Sequence, residues 1–264
     1  MLLFRIYLLF CCFALSLVAC QEEQTMIEHQ LRPEDDSRIG QAIDEQLLIY
    51  WDSCSAIEHL LVADYSAAYN YLDSLLLLCL AEPQFEQVQA FNWRLRIFRS
   101  AEKEQLFVAP GGYLYFSTDF LHFLANEQEL KAVMAHAILS IDQRIITQQL
   151  QAAFSISYLL DLALGAQPEA LPQLLEVVQT APYSKADMEQ LEPLFEDLLC
   201  QLHSSPDQML NFLQRVQGES DFEWALRFNN SFDWQGALRA NNSCSLGPML
   251  SPTNSYQDFL DQLP

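Results

Sequence analysis

The stretch at 105–145, QLFVAPGGYLYFSTDFLHFLANEQELKAVMAHAILSIDQRI, decides the fold. Two short apolar runs flank a Pro-Gly-Gly sequence at 110–112, which is typical of a tight turn between strands. Asn126 is followed three residues later by Glu129, the pattern of a helix capping box. The apolar residues after it cover nearly the whole circumference of a helix, which is typical of a central, buried one. The stretch therefore predicts strand, turn, strand, short helix and long buried helix.

The flanking sequence extends this pattern on both sides. Two helices are predicted within 39–81, and the alternation FNWRLRIF at 91–98 predicts a third strand. Strands this short need helices packed on them. The predicted fold class is therefore α+β, a mostly helical domain at 39–247 with a small sheet packed on the buried helix. Further helices are predicted at 148–164, 168–181, 183–202 with an interruption at Pro193, and 206–216.

Composition excludes some functions. The chain has 264 residues, 51% of them hydrophobic, so it can bury a sizeable core. Its formal net charge is −22, and Lys103, Lys131 and Lys185 are its only lysines. A protein this acidic repels phosphate backbones, so we expect no nucleic-acid partner.

The leader predicts the compartment. Residues 1–19 place Arg5 ahead of an apolar run that is short for a membrane span and typical of a secretory signal. Residues 17–20 are LVAC, which resembles the bacterial lipobox. We therefore expect Cys20 to be acylated and to anchor the chain. An uncleaved anchor, or an ordinary signal beside an unrelated cysteine, is the alternative. Gln21 follows, and by resemblance to lipoprotein sorting this favours the periplasmic face of the outer membrane.

Two terminal segments and four cysteines complete the organisation. The polar, acidic residues 20–38 predict a tether, and residues 248–264 predict a loose C-terminal tail.

An even number of cysteines in an oxidising compartment allows three disulfide pairings, with buried free thiols as the alternative. No C-x-x-C spacing occurs, which argues against a zinc ribbon. The candidate disulfide cysteines are Cys54, Cys79, Cys200 and Cys244.

The stretch 93–192 resembles the HtpX/BepA-like zinc metallopeptidases (metallopeptidase family forty-eight). That family has N-A-F-x-x-P-G-G, then N-E-D-E-L-A-A-V-L-A-H-E-I-G-H-V-x-x-R-H, and later Y-S-R followed by E-A-D. This chain has QLFVAPGG at 105–112 and NEQELKAVMAH at 126–136, with Arg144 at the arginine of R-H and YSK at 183–185. The resemblance implies a zincin-like peptidase fold.

The departures from the family fall on its chemistry. The resemblance places His136 at the first zinc histidine, Ala137 at the general-base glutamate, Ser140 at the second histidine and Gln190 at the third ligand, a glutamate. Catalytic zinc needs three protein ligands, and its water needs a base to take the proton. The resemblance therefore implies a degenerate site with no catalytic residues, and no cofactor is expected.

Two other readings of the same residues remain open. His136 and Ser140 share a helix face and would form a nucleophilic pair if an orienting acid and an oxyanion hole were present. The simpler interpretation is a buried histidine hydrogen-bonded to a hydroxyl. A metal site built from His136, Glu189 and Glu192 would require a different orientation of the helix that carries the two glutamates.

Two functional hypotheses follow. The first is a non-catalytic, metallopeptidase-like lipoprotein that binds a polypeptide client or envelope protein in assembly, quality control or regulation of proteolysis. It would bind by strand addition in the former substrate groove or through a neighbouring surface. The second is an active zinc endopeptidase with unrecognised ligands, for which zinc would be the cofactor.

Overall fold

Ten helices and four strands make up the part of the chain that this computed structural model describes, residues 31–100, 106–165, 171–218 and 255–264. In chain order they are α1 (Pro33–Ser53), β1 (Ile57–Leu60), α2 (Ser66–Leu80), β2 (Arg94–Ser100), β3 (Leu106–Ala109), β4 (Tyr113–Ser117), α3 (Thr118–Phe123), α4 (Glu127–Asp142), α5 (Ile145–Ala153), α6 (Ile156–Ala163), α7 (Leu171–Thr180), α8 (Lys185–Gln201), α9 (Pro206–Gly218) and α10 (Ser255–Leu260). The predicted α+β, mostly helical class with one small sheet is confirmed.

The four strands form one sheet in the order β1-β2-β4-β3. β2 runs parallel to β4, and the two outer pairs, β1 with β2 and β3 with β4, are antiparallel. The Pro-Gly-Gly turn joins β3 to β4, and Gly111 and Gly112 have φ of 74° and 104°. A side chain is strained at such angles, which explains the paired glycines.

Helices cover both faces of the sheet. On one face, Trp51 of α1 stacks on Phe98 of β2, with ring centroids 4.9 Å apart. The other face carries α2, α3 and α4. Because α1 covers it, the face of β2 that alternation predicted to be polar is enclosed, and Arg96 on that face is paired with Asp44 of α1.

Helix α4 is buried on nearly every side, as predicted. It contacts β3, α2, α5, α8 and α9. The Asn126 side chain accepts a hydrogen bond from the Glu129 N–H at 3.0 Å. The Glu129 carboxylate accepts instead from the N–H of Ala125 at 2.8 Å, one residue before the position of a reciprocal capping box.

Three predictions of elements were wrong. The single helix predicted at 148–164 is instead two helices, α5 and α6, with an extended segment between them. Residues 39–81 contain β1 between their two helices, a four-residue strand too short for its alternation to show against helical neighbours. Helix α8 continues through Pro193 without the predicted interruption. A proline costs a helix about 3 kcal/mol, and here the burial of Leu191 and Phe195 on either side offsets that loss.

The predicted domain boundaries were also wrong at both ends. Residues 31–38 are part of the domain, not of a tether, because Leu31 and Asp36 are buried and α1 begins at Pro33. Proline suits the first helical position, and the acidic residues that follow it stabilise the positive end of the helix dipole. Half of the acidic residues that suggested a tether thus belong to a helix N-terminus. The predicted leader 1–19, Cys20 and the remaining tether lie outside the described residues.

At the other end, the last ten residues are not a loose tail. Phe259 of α10 stacks on Tyr71 of α2 with centroids 4.6 Å apart. The Tyr256 hydroxyl donates to the Leu121 carbonyl at 2.6 Å. These contacts fix the C-terminus to α2 and α3.

The described cysteines are in two states. Cys54 and Cys79 carry free thiols, so the predicted pairings that include them were wrong. Cys200 is disulfide-bonded. Cys244 lies outside the described residues.

Within the described ranges, the helices are too short or too polar to cross a membrane.

Candidate functional site

The histidine at the centre of the candidate site is fully enclosed. His136 lies on α4 with 0% of its surface exposed. The rings of Tyr183 and Phe195 meet it edge to face, with centroids 5.2 and 5.7 Å away. Tyr183 precedes α8 and Phe195 lies within it, so the packing of α8 on α4 closes the site over the imidazole.

The two neighbouring positions on α4 offer no metal ligand of the family type. Ala137 is 2% exposed and fills core space. The Ser140 hydroxyl donates to the Ala137 carbonyl at 2.8 Å, within its own helix. A nucleophilic serine donates its proton to a base, so this hydrogen bond contradicts the nucleophilic-pair interpretation.

The position predicted for the third ligand lies away from the histidine. Gln190 is on the exposed side of α8, and its amide donates to the Gln143 side chain at 3.0 Å. Gln143 follows His136 by seven residues, two helical turns or about 10 Å along the axis. The structure therefore does not bring Gln190 to His136.

The alternative metal set with the two nearby glutamates is also separated. Glu189 is exposed and forms an ion pair with Lys185 at 3.5 Å. In the described ranges, no three His, Cys, Asp or Glu side chains converge as a metal-binding group. The proposed combination of His136, Glu189 and Glu192 is accordingly not assembled.

A strong ion pair lies where the chain leaves α4. Arg144 has φ of 58°, a left-handed conformation that is uncommon for a residue other than glycine. Its guanidinium binds Asp36 through two hydrogen bonds of 2.7 and 3.0 Å and donates to the Leu31 carbonyl at 2.5 Å. Burial raises the pKa of Asp36, and the contact with Arg144 opposes that rise. The arginine that matched the family motif thus fastens the start of the domain.

The same end of α4 holds a loop that precedes β2. The Asp142 carboxylate accepts hydrogen bonds from the N–H groups of Glu86 and Gln87, at 3.2 and 2.8 Å. Burial raises the pKa of Asp142, against the lowering effect of these bonds. Sequence reasoning missed this contact. The signal was available, since an aspartate at a helix C-terminus opposes the helix dipole and needs compensating donors.

A second buried polar cluster joins α1 to the sheet. The Asp44 carboxylate accepts two hydrogen bonds from Arg96, at 3.1 and 2.7 Å, and one from the Tyr115 hydroxyl at 3.1 Å. Burial raises the pKa of Tyr115. Asp44 occupies the inner side of α1 beside buried Ile43 and Leu47, which is the pattern that could have revealed it. All three groups are satisfied by one another, which indicates a structural cluster.

No protein-family model matches the chain, and no curated protein matches its sequence. The site therefore has to be interpreted from its own geometry. In that geometry His136 is enclosed by aromatic rings, and the neighbouring polar side chains form structural hydrogen bonds.

Proposed function

We propose that this protein is a non-catalytic relative of the HtpX/BepA-like zinc metallopeptidases that binds polypeptides in the bacterial envelope. In this proposal the fold is zincin-like, and the protein serves envelope-protein assembly, quality control or the regulation of proteolysis. The order of strand, Pro-Gly-Gly turn, strand, short helix and buried helix supports the relationship. So does the position of Tyr183 beside His136, since both belong to the matching motifs.

The proposal that the protein is not catalytic rests on the side chains found at the positions that the family uses for catalysis. Hydrolysis by the family mechanism needs a zinc-bound water and a carboxylate to accept its proton. Here the base position is Ala137, the Ser140 hydroxyl is bonded to the backbone, and Gln190 lies near Gln143. These differences affect the base and two of the three zinc ligands that the mechanism requires.

Metal and activity measurements on the purified full-length chain test this part. We expect substoichiometric zinc after dialysis, and casein cleavage no faster than in a buffer control. His136→Ala should leave both readings unchanged. Stoichiometric zinc together with chelator-sensitive casein cleavage would instead establish the alternative, an active zinc endopeptidase with unrecognised ligands.

The burial of β3 argues against polypeptide binding at that strand. That strand lies closest to α4 in the sheet, and its four residues are at most 2% exposed. A closed edge cannot accept an added strand. We therefore favour the second route, a neighbouring surface, over strand addition in the former groove.

Suppression of aggregation tests the binding part. The full-length chain should delay the aggregation of reduced lactalbumin in proportion to its concentration, whereas an acidic, folded protein of similar size should not. Equal aggregation with and without the chain would contradict polypeptide binding.

Lipid anchoring through Cys20 is part of the proposal and has its own test. Replacement of Cys20 by Ala should move the protein from the membrane fraction to the soluble periplasmic fraction. If the variant still sediments with membranes, the lipobox assignment is wrong.

A further inference from the structure

Helix α10 lies on the domain with one face buried and the other exposed. Tyr256, Phe259 and Leu260 are at most 8% exposed, and so is Leu263 just beyond the helix. The spacing of these four residues is i, i+3, i+4 and i+7, the pattern by which an amphipathic helix binds in a groove of another protein. Although it belongs to the same chain, α10 therefore has the form of a docked helical ligand.

The groove that holds α10 is formed by α2, α3 and the first turn of α4. Tyr71 of α2 stacks on Phe259 with ring centroids 4.6 Å apart. The Leu121 carbonyl of α3 accepts a hydrogen bond from the Tyr256 hydroxyl at 2.6 Å. Glu127 of α4 supplies a carboxylate at the start of α10. We use the name α10 groove for Tyr71, Leu121 and Glu127.

The carboxylate of this groove does not depend on α10. Glu127 accepts a hydrogen bond from the Tyr71 hydroxyl at 2.8 Å and forms an ion pair with Lys131 at 2.6 Å. If α10 left, Glu127 would lose the hydrogen bond from the Ser255 hydroxyl, at 3.2 Å, and would keep both other partners. Departure of α10 therefore avoids the large cost of a buried charge without a partner.

Helix α10 in turn depends on the groove for its structure. It has six residues, and isolated helices shorter than about 12 residues are marginal in water. Its main packing partner among the described elements is α2. A short helix that packs mainly on one neighbour can open locally while the rest of the domain stays folded.

We infer that the α10 groove is the docking site for polypeptide clients and that α10 is the occupant with which they compete. This inference rests on the proposed polypeptide-binding function and locates it. The client segment would be a short amphipathic helix with apolar side chains at i, i+3, i+4 and i+7, the first two of them aromatic like Tyr256 and Phe259. The apparent affinity for a client is the intrinsic affinity multiplied by the fraction of molecules whose groove is empty. Any change that weakens the binding of α10 should therefore raise the affinity for a client.

Fluorescence anisotropy on the full-length chain tests the inference. The probe is a labelled peptide with the sequence of residues 254–264. The double variant Phe259→Ala, Leu260→Ala removes two buried side chains of α10, so it should bind the peptide at least tenfold more tightly than the natural chain does. The matched control is Gln257→Ala, Gln262→Ala on the exposed side of the same segment, which should leave the affinity within twofold.

A milder variant covers the case in which the double variant does not fold. Tyr256→Phe removes only the hydrogen bond to the Leu121 carbonyl. It should raise the affinity for the peptide about fivefold, which corresponds to about 1 kcal/mol. If circular dichroism shows the double variant to be unfolded, Tyr256→Phe decides by the same criterion.

The outcomes separate this inference from the proposed function. If the folded variants gain no affinity for the peptide while the natural chain delays lactalbumin aggregation, the α10 groove is not the docking site and the proposed function stands. The same holds if the variants bind the peptide more tightly but delay aggregation no better than the natural chain. If neither the peptide nor lactalbumin binds, polypeptide binding itself is contradicted. A natural chain that sediments as a dimer, with a monomeric double variant, would show α10 in the groove of a second copy and overturn the inference.

Discussion

Arg144 and Asp36 form a two-pronged ion pair between residues 108 positions apart in the chain. The aspartate is completely buried and the arginine side chain is 23% exposed. The pair joins the first turn of α1 to the junction between α4 and α5. It fixes helix α1 to the end of the buried helix α4 that organises the fold.

Removal of one member of this pair should destabilise the domain strongly. Arg144→Met leaves the Asp36 carboxylate buried without its guanidinium, and we expect a loss of about 3 kcal/mol in the free energy of unfolding. Arg144→Lys keeps the charge but not the fork of two hydrogen bonds, so its loss should be smaller. Urea denaturation measures both. A change under 0.5 kcal/mol, the scale of ordinary surface substitutions, for Arg144→Met would contradict this role.

Gly40 should not tolerate a methyl group. A Cβ there would lie 1.9 Å from the Pro110 carbonyl oxygen, which belongs to the backbone of the tight turn. Alanine favours a helix over glycine by about 1 kcal/mol, but this overlap is larger than such a gain can offset. We expect Gly40→Ala to lower the free energy of unfolding by about 2 kcal/mol.

The neighbouring exposed residue provides the control for Gly40. Gln41→Ala lies on the same helix, and it should change the free energy of unfolding by less than about 0.5 kcal/mol. Equal denaturation midpoints for Gly40→Ala and Gln41→Ala would show that α1 does not press on the turn.

Three cysteines should react in three different ways. Cys54 is a partly exposed free thiol and should be alkylated by iodoacetamide in the native protein. Burial raises the pKa of Cys79 to about 12, so it should react only after unfolding. Cys200 is disulfide-bonded and should require reduction first. Peptide mass spectrometry reads out each residue, and native labelling of Cys79 at the rate of Cys54 would refute its burial.

The domain should lose stability in alkali. Burial raises the pKa values of Tyr69, Tyr71, Tyr113, Tyr115 and Tyr256 above 10. A tyrosine whose pKa is higher in the folded than in the unfolded state stabilises the folded state. This stabilisation is complete at any pH below the pKa of the unfolded state. That stability is lost as pH rises past about 10, by about 1.4 kcal/mol per pH unit for each tyrosine that stays protonated.

Phenolate absorbance and circular dichroism measure the alkaline transition together. The buried tyrosines should ionise cooperatively as the helical signal is lost. Tyr256→Phe should make the pH dependence shallower because one titrating group is removed. Ionisation of all tyrosines near pH 10 with an intact helical signal would contradict the predicted burial effect.

Local patterns predicted the centre of the fold well. Helix α4 is visible in the sequence because apolar residues cover nearly its whole circumference, and the turn is visible because two glycines stand together after a proline. The absence of a metal-binding side chain at Ala137 and Ser140 could likewise be found from the sequence, since both lie within two turns of His136 on one helix.

Features that depend on distant residues could not be predicted. The acidic turn at Asp36 suggested a tether because its partner, Arg144, follows much later in the chain. β1 forms because β2 has a free side to pair with, and nothing within Ile57–Leu60 reveals that. The direction of Gln190 depends on how α8 rotates against α4, which spacing along the chain does not determine.

The attachment of Leu31 and Asp36 to Arg144 also determines how the domain would respond to mechanical force. Tension applied to the chain ahead of Leu31 would pass into Arg144 and so into the junction behind α4. Helix α1 could separate from the domain only after that pair ruptured. A force applied at this end would therefore be resisted by a buried ion pair. Under such a force the domain should unfold in one abrupt step and not gradually.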